Sequence, residues 1–200
     1  MTIEYKNVEG GTLSTQQVNF AENFNKVFSE NDAVKKVEEY RNRELSAITY
    51  YRDDSENETD LVNLLSVFSQ VPFSIAKTNY VGSKKVERFN YYDLGQLVGK
   101  SNQLYDQANE LITSEHIDIT TNSPIYTDTT KYLYDRGRSP DTCLYRFFYN
   151  EDGSLWYAEY KHDDPYDSEH YEACDFPKIK HEMGLTDEEM NYYLTADFEP

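Results

Sequence analysis

Cysteine, tryptophan and long apolar runs are scarce in this chain of 200 residues. Its two cysteines are too few for a disulfide framework, so we expect free thiols in a reducing compartment. No stretch approaches the roughly 20 consecutive apolar residues that a membrane-spanning helix needs. The first eleven residues, MTIEYKNVEGG, have neither the basic start nor the apolar run of a leader. We therefore expect a cytoplasmic protein that binds no membrane.

Motifs that hold cofactors or metals are also missing. A phosphate-binding loop requires a glycine five residues before the Gly-Lys pair, and Leu94 occupies that place before Gly99 and Lys100. A zinc site needs Cys and His at close, repeated spacing, which the nearest set, His170, Cys174 and His181, does not have. The sequence therefore predicts no cofactor, no metal and no enzymatic activity.

Negative charge is the strongest feature of the composition. The chain has 37 acidic and 19 basic residues, a net charge of −18, which repels phosphate backbones and argues against direct nucleic-acid binding. Residues 151–200 alone carry fifteen acidic and three basic side chains, a net charge of −12. A basic protein is the class of partner that this charge favours.

The pattern of apolar residues predicts an α+β fold, with N-terminal helices and short strands packed on an antiparallel, aromatic-rich β-meander. Nineteen tyrosines and ten phenylalanines must supply much of the core. We expect a strand over residues 2–8. Ser14 and Gln17 have the spacing of a capping box and predict a helix that continues to Glu30. Residues 33–52 fit a helical stripe or a hairpin that turns at 42–44, and we favour the hairpin.

The middle of the chain predicts two helices and one strand. Thr59 and Asp60 are suited to cap a helix that ends at Phe68, before Pro72. Residues 86–93 read as a strand, and 97–112 as a helix. The polar stretch 113–130 has the composition of a linker or an exposed loop.

We predict a single domain over residues 1–200. A possible sub-boundary lies in 113–130, between a mostly helical part (1–115) and an acidic, tyrosine-rich β part (125–200).

The last part of the chain predicts a meander and two helices. The strands are 131–135, 143–150 and 154–161. A short helix is expected near 177–183, and Thr186 is suited to cap a final one. Four residues of the meander, expected to pack against the N-terminal helices, are Phe147, Tyr149, Leu155 and Trp156.

Acidic residues and tyrosines are interspersed over residues 151–175. Tyrosine offers rigid, amphipathic contact area, and a field of carboxylates speeds encounter with a cationic partner. We therefore predict a solvent-facing partner-binding surface made of Asp163, Asp164, Tyr166, Asp167, Glu169, Tyr171 and Glu172.

The function expected from these features is that of a non-enzymatic acidic binding protein. Its concrete forms are an immunity-type inhibitor, which neutralises a basic toxin, and a DNA-mimic-type inhibitor of a nucleic-acid-binding protein. Three alternatives stay open: a carbohydrate-binding module, a structural component of an assembly such as a virus, and an enzyme that uses carboxylates or the histidines from His170 to His181.

Overall fold

The computed structural model describes residues 1–68, 70–134, 143–161, 168–172 and 175–198. The strands are β1 (Thr2–Lys6), β2 (Thr12–Leu13), β3 (Phe24–Glu30), β4 (Ala33–Arg41), β5 (Glu44–Arg52), β6 (Phe73–Val81), β7 (Lys84–Asp93), β8 (Gln96–Tyr105), β9 (Leu111–Ile117), β10 (Pro124–Tyr134), β11 (Cys143–Tyr149), β12 (Leu155–Lys161) and β13 (Ser168–Tyr171). The helices are α1 (Thr15–Val18), α2 (Glu58–Phe68), α3 (Phe176–Met183) and α4 (Asp187–Leu194). The fold is a mostly antiparallel, aromatic-rich sheet, as expected, but the predicted N-terminal helical part is wrong.

Strands that are neighbours in the chain are neighbours in the sheet, except that β1 lies between β2 and β3. Strands β5 and β6 form a parallel pair in which Ile48 lies opposite Phe73. A parallel pair needs a crossover connection, and α2 lies in the segment that joins these two strands.

The chain divides into two compact units. Unit 1 contains Met1–Thr78 and Arg88–Lys100, and unit 2 contains Asn79–Glu87 and Ser101–Pro200. Residues 113–130, predicted as a linker, instead belong largely to strands β9 and β10, both in unit 2. Their threonines suit strands, and pairing between the two strands satisfies the backbone. That the whole chain forms one domain stays a prediction.

Unit 1 has a core between α2 and strands β5 to β7. It contains Ile48, Leu61, Leu65, Phe73, Ile75 and Tyr92. Leu61 and Leu65 are one helical turn apart, so both face the sheet. The predicted helix is confirmed, but its cap is Asn57, whose Oδ1 accepts the backbone N–H groups of Thr59 and Asp60.

The helix expected from Ser14 to Glu30 is only four residues long. Its capping box is confirmed, because Ser14 and Gln17 accept each other's backbone N–H groups. Strand β3 follows from Phe24 and pairs with β1 on one side and β4 on the other. The buried spacing that resembles a helical stripe, Phe24, Val27 and Phe28, arises in a strand with a register shift after Phe28. Pairing of β3 with a strand on each side stabilises the extended backbone more than the capping box stabilises a longer helix.

Two hairpins of unit 1 turn through adjacent residues with positive φ. The hairpin predicted over 33–52 is confirmed, with Asn42 at φ 50° and Arg43 at 66°. Asn31 and Asp32 turn the preceding hairpin in the same way, with φ 50° and 63°. Two successive left-handed residues match the right-handed twist of the flanking strands.

The helix expected over 97–112 is wrong, because strands β8 and β9 occupy most of these residues. A turn interrupts the apolar stripe at Asp106, whose Oδ1 accepts the N–H groups of Ala108 (2.8 Å) and Glu110 (3.0 Å). Asn109 completes the turn at φ 63°. Asp and Asn side chains form such turns locally, and this signal competes with helical periodicity.

Unit 2 has an aromatic core between strands β10 to β13 and helices α3 and α4. Phe147 stacks on Tyr193 of α4 with ring centroids 4.6 Å apart, and Ile179 of α3 is fully buried. The predicted meander and both C-terminal helices are confirmed, but the aromatic face, predicted to pack against N-terminal helices, packs against α3 and α4. Trp156, expected on this face, is 62% exposed. A register shift after Phe148 places Leu155 opposite Tyr149.

Candidate binding site

A cavity of about 940 Å³ lies in unit 2, beside helices α3 and α4 and strands β9 and β10. We call it the acidic cavity. Its lining consists of Lys84, Asp106, Ile112, Tyr132, Leu133, Tyr134, Glu182, Met183, Gly184, Leu185, Glu188, Glu189, Asn191, Tyr192, Tyr193, Thr195 and Asp197.

Carboxylates outnumber cations in this lining. Five are present, from Asp106, Glu182, Glu188, Glu189 and Asp197, against the single ammonium of Lys84. Four tyrosines share the lining: Tyr132, Tyr134, Tyr192 and Tyr193. A cationic group that enters the cavity therefore meets both carboxylates and aromatic rings, the two surroundings that stabilise a positive charge.

Local sequence signals place the acids of α4 at the cavity. Thr186 Oγ1 accepts the N–H of Glu189 at 3.2 Å, and Glu189 Oε2 accepts the N–H of Thr186 at 2.8 Å. Gly184, in the left-handed region at φ 64°, ends α3 two residues earlier. An ion pair between Lys180 and Asp187 joins the two helices. Acids in the first turn of α4 also complement the positive end of its dipole.

Side chains from the sheet satisfy the carbonyl groups at the C-terminal end of α4. The hydroxyl of Tyr149 donates to the carbonyl oxygen of Tyr193 at 3.1 Å, and Lys131 Nζ donates to the carbonyl oxygen of Tyr192. The last carbonyls of a helix have no partner within it and carry partial negative charge, so a lysine here is well placed. These two bonds tie α4, and the acids that it carries, to strands β10 and β11.

Lys131 is fully buried in this position. Its Nζ lies 3.5 Å from the ring centroid of Tyr192 and 5.8 Å from that of Tyr149. Burial lowers the pKa of Lys131 to about 7; Asp197 and Glu115 act in the opposite direction, and Lys84 adds to the lowering. Near neutral pH, Lys131 therefore exchanges between a charged and a neutral form.

A layer of buried polar residues surrounds Tyr192 and Lys131. The hydroxyls of Thr113 and Tyr192 are hydrogen-bonded to each other. Asn102 Nδ2 donates to Oε1 of the buried Glu115 at 2.6 Å. Burial raises the pKa of Tyr192 to about 12; the Thr113 hydrogen bond opposes this shift and Glu115 adds to it. The phenol of Tyr192 is thus neutral at physiological pH and held at both its hydroxyl and its backbone.

The predicted partner-binding surface lies mostly outside the described residues. Asp163, Asp164, Tyr166 and Asp167 belong to that part, and Glu169 is described only by its backbone position in β13, opposite Tyr160. Glu172 is exposed, as expected.

Tyr171 corrects the prediction of a solvent-facing surface, because it is only 9% exposed. Its ring lies 5.8 Å from that of Tyr145, at an angle of 68°. The pairing of β13 with β12 places Tyr171 opposite the fully buried Ala158, so the two residues face the same core.

The predicted metal candidates are not brought together among the described residues. Cys174 lies outside them, and so does the side chain of His170, whereas His181 is exposed on α3. In the described part of the chain, no three His, Cys, Asp or Glu side chains form a group able to hold a metal ion. The absence of a metal stays a prediction.

The sequence prediction missed Lys131 and the cavity acids of α3 and α4. Lys131 alternates with Leu133 and Thr129, and all three are buried. Because Lys131 and Leu133 lie on the same face of the strand, the sequence alone could have indicated that Lys131 points inward. No sequence pattern indicated that Asp197 acts on Lys131, because their proximity depends on where α4 packs.

The chain matches no protein-family model, no curated protein and no solved structure. Within the described residues, no helix has the length and apolarity needed to cross a membrane. The function must therefore be argued from the site itself.

Proposed function

We propose that the protein is a non-enzymatic binding protein whose acidic C-terminal part engages a basic protein, and that the acidic cavity receives a cationic side chain of this partner. The observation that carries the proposal is a lining of five carboxylates and four tyrosines against one lysine. An immunity-type or DNA-mimic-type inhibitor is the concrete form that suits this chemistry.

Tyr192, one of the cavity tyrosines, already lies against two cations of the protein itself. Lys84 Nζ lies 5.9 Å from the ring centroid of Tyr192, and Lys131 Nζ lies at 3.5 Å. An arginine of the partner suits such a place best, because its planar guanidinium stacks on aromatic rings and pairs with two carboxylate oxygens at once.

The test uses a C-amidated hexa-arginine peptide with a pH-insensitive rhodamine dye at its N-terminus, and measures its Kd by fluorescence anisotropy at low and at high salt. The cavity variant combines Glu182→Gln, Glu188→Gln and Asp197→Asn. The control variant combines Glu9→Gln, Glu22→Gln and Glu30→Gln, which removes three exposed charges from unit 1. We expect the cavity variant to weaken binding about tenfold, and the control variant much less, because the three control acids do not line the cavity and act on the peptide only through screened long-range charge.

Equal loss of affinity in both variants would show that only net charge matters and would overturn the cavity as the site. A pull-down with the wild-type protein, at low and at high salt, would then identify the natural partner.

The acidic surface over 163–172 is a second contribution to the same function. We expect replacement of its five acids, Asp163, Asp164, Asp167, Glu169 and Glu172, by Asn or Gln to lower the association rate and to flatten its salt dependence. The cavity variant should instead raise the dissociation rate. Stopped-flow kinetics with the same peptide separates the two effects.

Carbohydrate binding is the second candidate function, and the exposure of Trp156 favours it. The indole lies 4.9 Å from the ring of Tyr157, which stacks on Phe148 at 4.8 Å, so aromatic rings are available at one end of β12. Because Trp156 is the only tryptophan, its fluorescence reports directly on this place. A saturable change on addition of soluble oligosaccharides would support the candidate, and no change across a panel would contradict it.

A further inference from the structure

Tyr192 belongs both to the lining of the acidic cavity and to the surroundings of a buried lysine. Lys131 is not itself a lining residue, but its Nζ lies 3.5 Å from the Tyr192 ring centroid and donates to the Tyr192 carbonyl oxygen. A charge on Lys131 is therefore close to a cation that binds beside Tyr192 in the cavity.

Charged groups around Lys131 come from several elements, and two of them line the cavity. Asp197, after α4, and Glu115, on β9, favour its protonated form, whereas Lys84, on β7, opposes it. Tyr149, on β11, and Tyr192, on α4, face it with their rings. Asp197 and Lys84 are the two that also line the cavity. A cation that pairs with Asp197 there reduces the field that favours protonated Lys131.

We propose that Lys131 is a proton-linked regulator of the acidic cavity, whose charged form opposes the binding of a cationic side chain and whose neutral form permits it. The inference rests on the proposed function, since it concerns the same site.

Linkage gives the direction of the effect. If a bound cation and a proton on Lys131 disfavour each other, loss of the proton strengthens binding, and binding in turn promotes loss of the proton by the same factor. Burial brings the pKa of Lys131 to about 7, so the change in affinity falls around neutral pH. Both forms of the amine keep one hydrogen bond to the Tyr192 carbonyl oxygen, because a neutral amine still donates.

The experiment measures the Kd of the hexa-arginine peptide between about pH 6 and pH 8.5 at constant ionic strength. Guanidinium groups stay charged throughout, and carboxylates ordinarily titrate well below this range. We expect wild-type affinity to rise roughly tenfold with pH, a typical coupling between two sites. Lys131→Met should bind tightly at the lowest pH and show little further change.

Two control variants separate Lys131 from other sources of pH dependence. Lys6→Met removes one lysine from unit 1 and should keep the wild-type pH profile. Histidines also change charge between about pH 5 and pH 8. His181→Gln, on α3, should therefore keep the profile as well.

A second measurement uses the wild-type protein alone, so its outcome does not depend on whether Lys131→Met folds. The ¹³Cε chemical shift of Lys131, followed against pH with and without saturating peptide, should show a midpoint that falls by about one pH unit when the peptide binds, as linkage requires. An unchanged midpoint would overturn the inference, and so would peptide affinity that is independent of pH in the wild type or equally pH-dependent in Lys131→Met. Absence of binding at every pH would reject the proposed function together with the inference.

Discussion

Lys35 on β4 of unit 1 and Lys131 on β10 of unit 2 lie in opposite electrostatic surroundings. In unit 1, Lys35 Nζ lies 2.9 Å from Asp53 Oδ2 and 2.8 Å from Glu56 Oε2. Partial burial by itself lowers the pKa of Lys35, but the hydrogen bonds with Glu56 and Asp53 outweigh it, so the pKa is raised. In unit 2, burial dominates and lowers the pKa of Lys131. A carboxylate in contact keeps a buried lysine charged, whereas a carbonyl and aromatic rings do not suffice.

The two units also differ in how their acids are used. In unit 1, acids near α2 bond with neighbouring strands: Glu58 accepts from Tyr92 at 2.6 Å and lies 3.6 Å from Arg52 Nη2. In unit 2, the cavity lining has five acids and one lysine. Acids of unit 2 are ion-paired as well, since Glu182 of the cavity lies 3.9 Å from Lys178 Nζ. The difference is the excess of acids over lysines in the cavity lining, which the proposed function assigns to a cation of the partner.

The largest expected effect comes from truncating the aromatic core of either unit. Phe147→Ala in unit 2 and Phe73→Ala in unit 1 should each lower the free energy of unfolding by about 3 to 5 kcal/mol, because both rings are buried and stacked on a tyrosine. Chemical denaturation, followed by Trp156 fluorescence for unit 2 and by hydrogen exchange for both units, measures the effect. If each variant destabilises only its own unit, the prediction of a single cooperative domain is wrong.

A smaller effect is expected from Lys131 and pH. Its pKa is about 7 in the folded protein against an ordinary value of 10.5, so the unfolded chain binds more protons between these pH values. The free energy of unfolding should therefore rise by about 2 kcal/mol from pH 7 to pH 9, and Lys131→Met should remove this rise. Urea denaturation at each pH measures it. An equal rise in the wild type and in Lys131→Met would assign the effect to other groups. Lys35→Met, which removes a lysine with a raised pKa, is the matched control and should keep the rise.

The smallest expected effects distinguish the two capping boxes. Thr186→Ala should cost about 1 kcal/mol, because α4 carries Met190 and Tyr193 into the core of unit 2. Ser14→Ala should cost about 0.5 kcal/mol, because α1 buries no side chain. Thermal unfolding of the two variants compares them. Equal costs would mean that packing of the helix does not amplify the loss of its cap.

The correct predictions rest on signals between residues close in the chain. The turn at Asn42 and Arg43 and the boxes at Ser14 and Thr186 depend on a side chain and the backbone within a few residues. The helices predicted over 14–30 and 97–112 were wrong because pairing with other strands competed with the helical periodicity. The candidate site divides in the same way: negative charge in the C-terminal part was predictable, but the burial of Tyr171 depends on β13 pairing with β12.

The sequence by itself determined the caps, the hairpin turns and the excess of acids in the last fifty residues, because each depends on composition or on groups only a few bonds apart. The tertiary structure alone decided that Lys131 donates to a carbonyl 61 residues away, that its Nζ lies against two tyrosine rings, and that Asp197 acts on its charge. The physical reason is that a pKa depends on desolvation and on nearby charges. Both are set by the packing of α4 against the sheet.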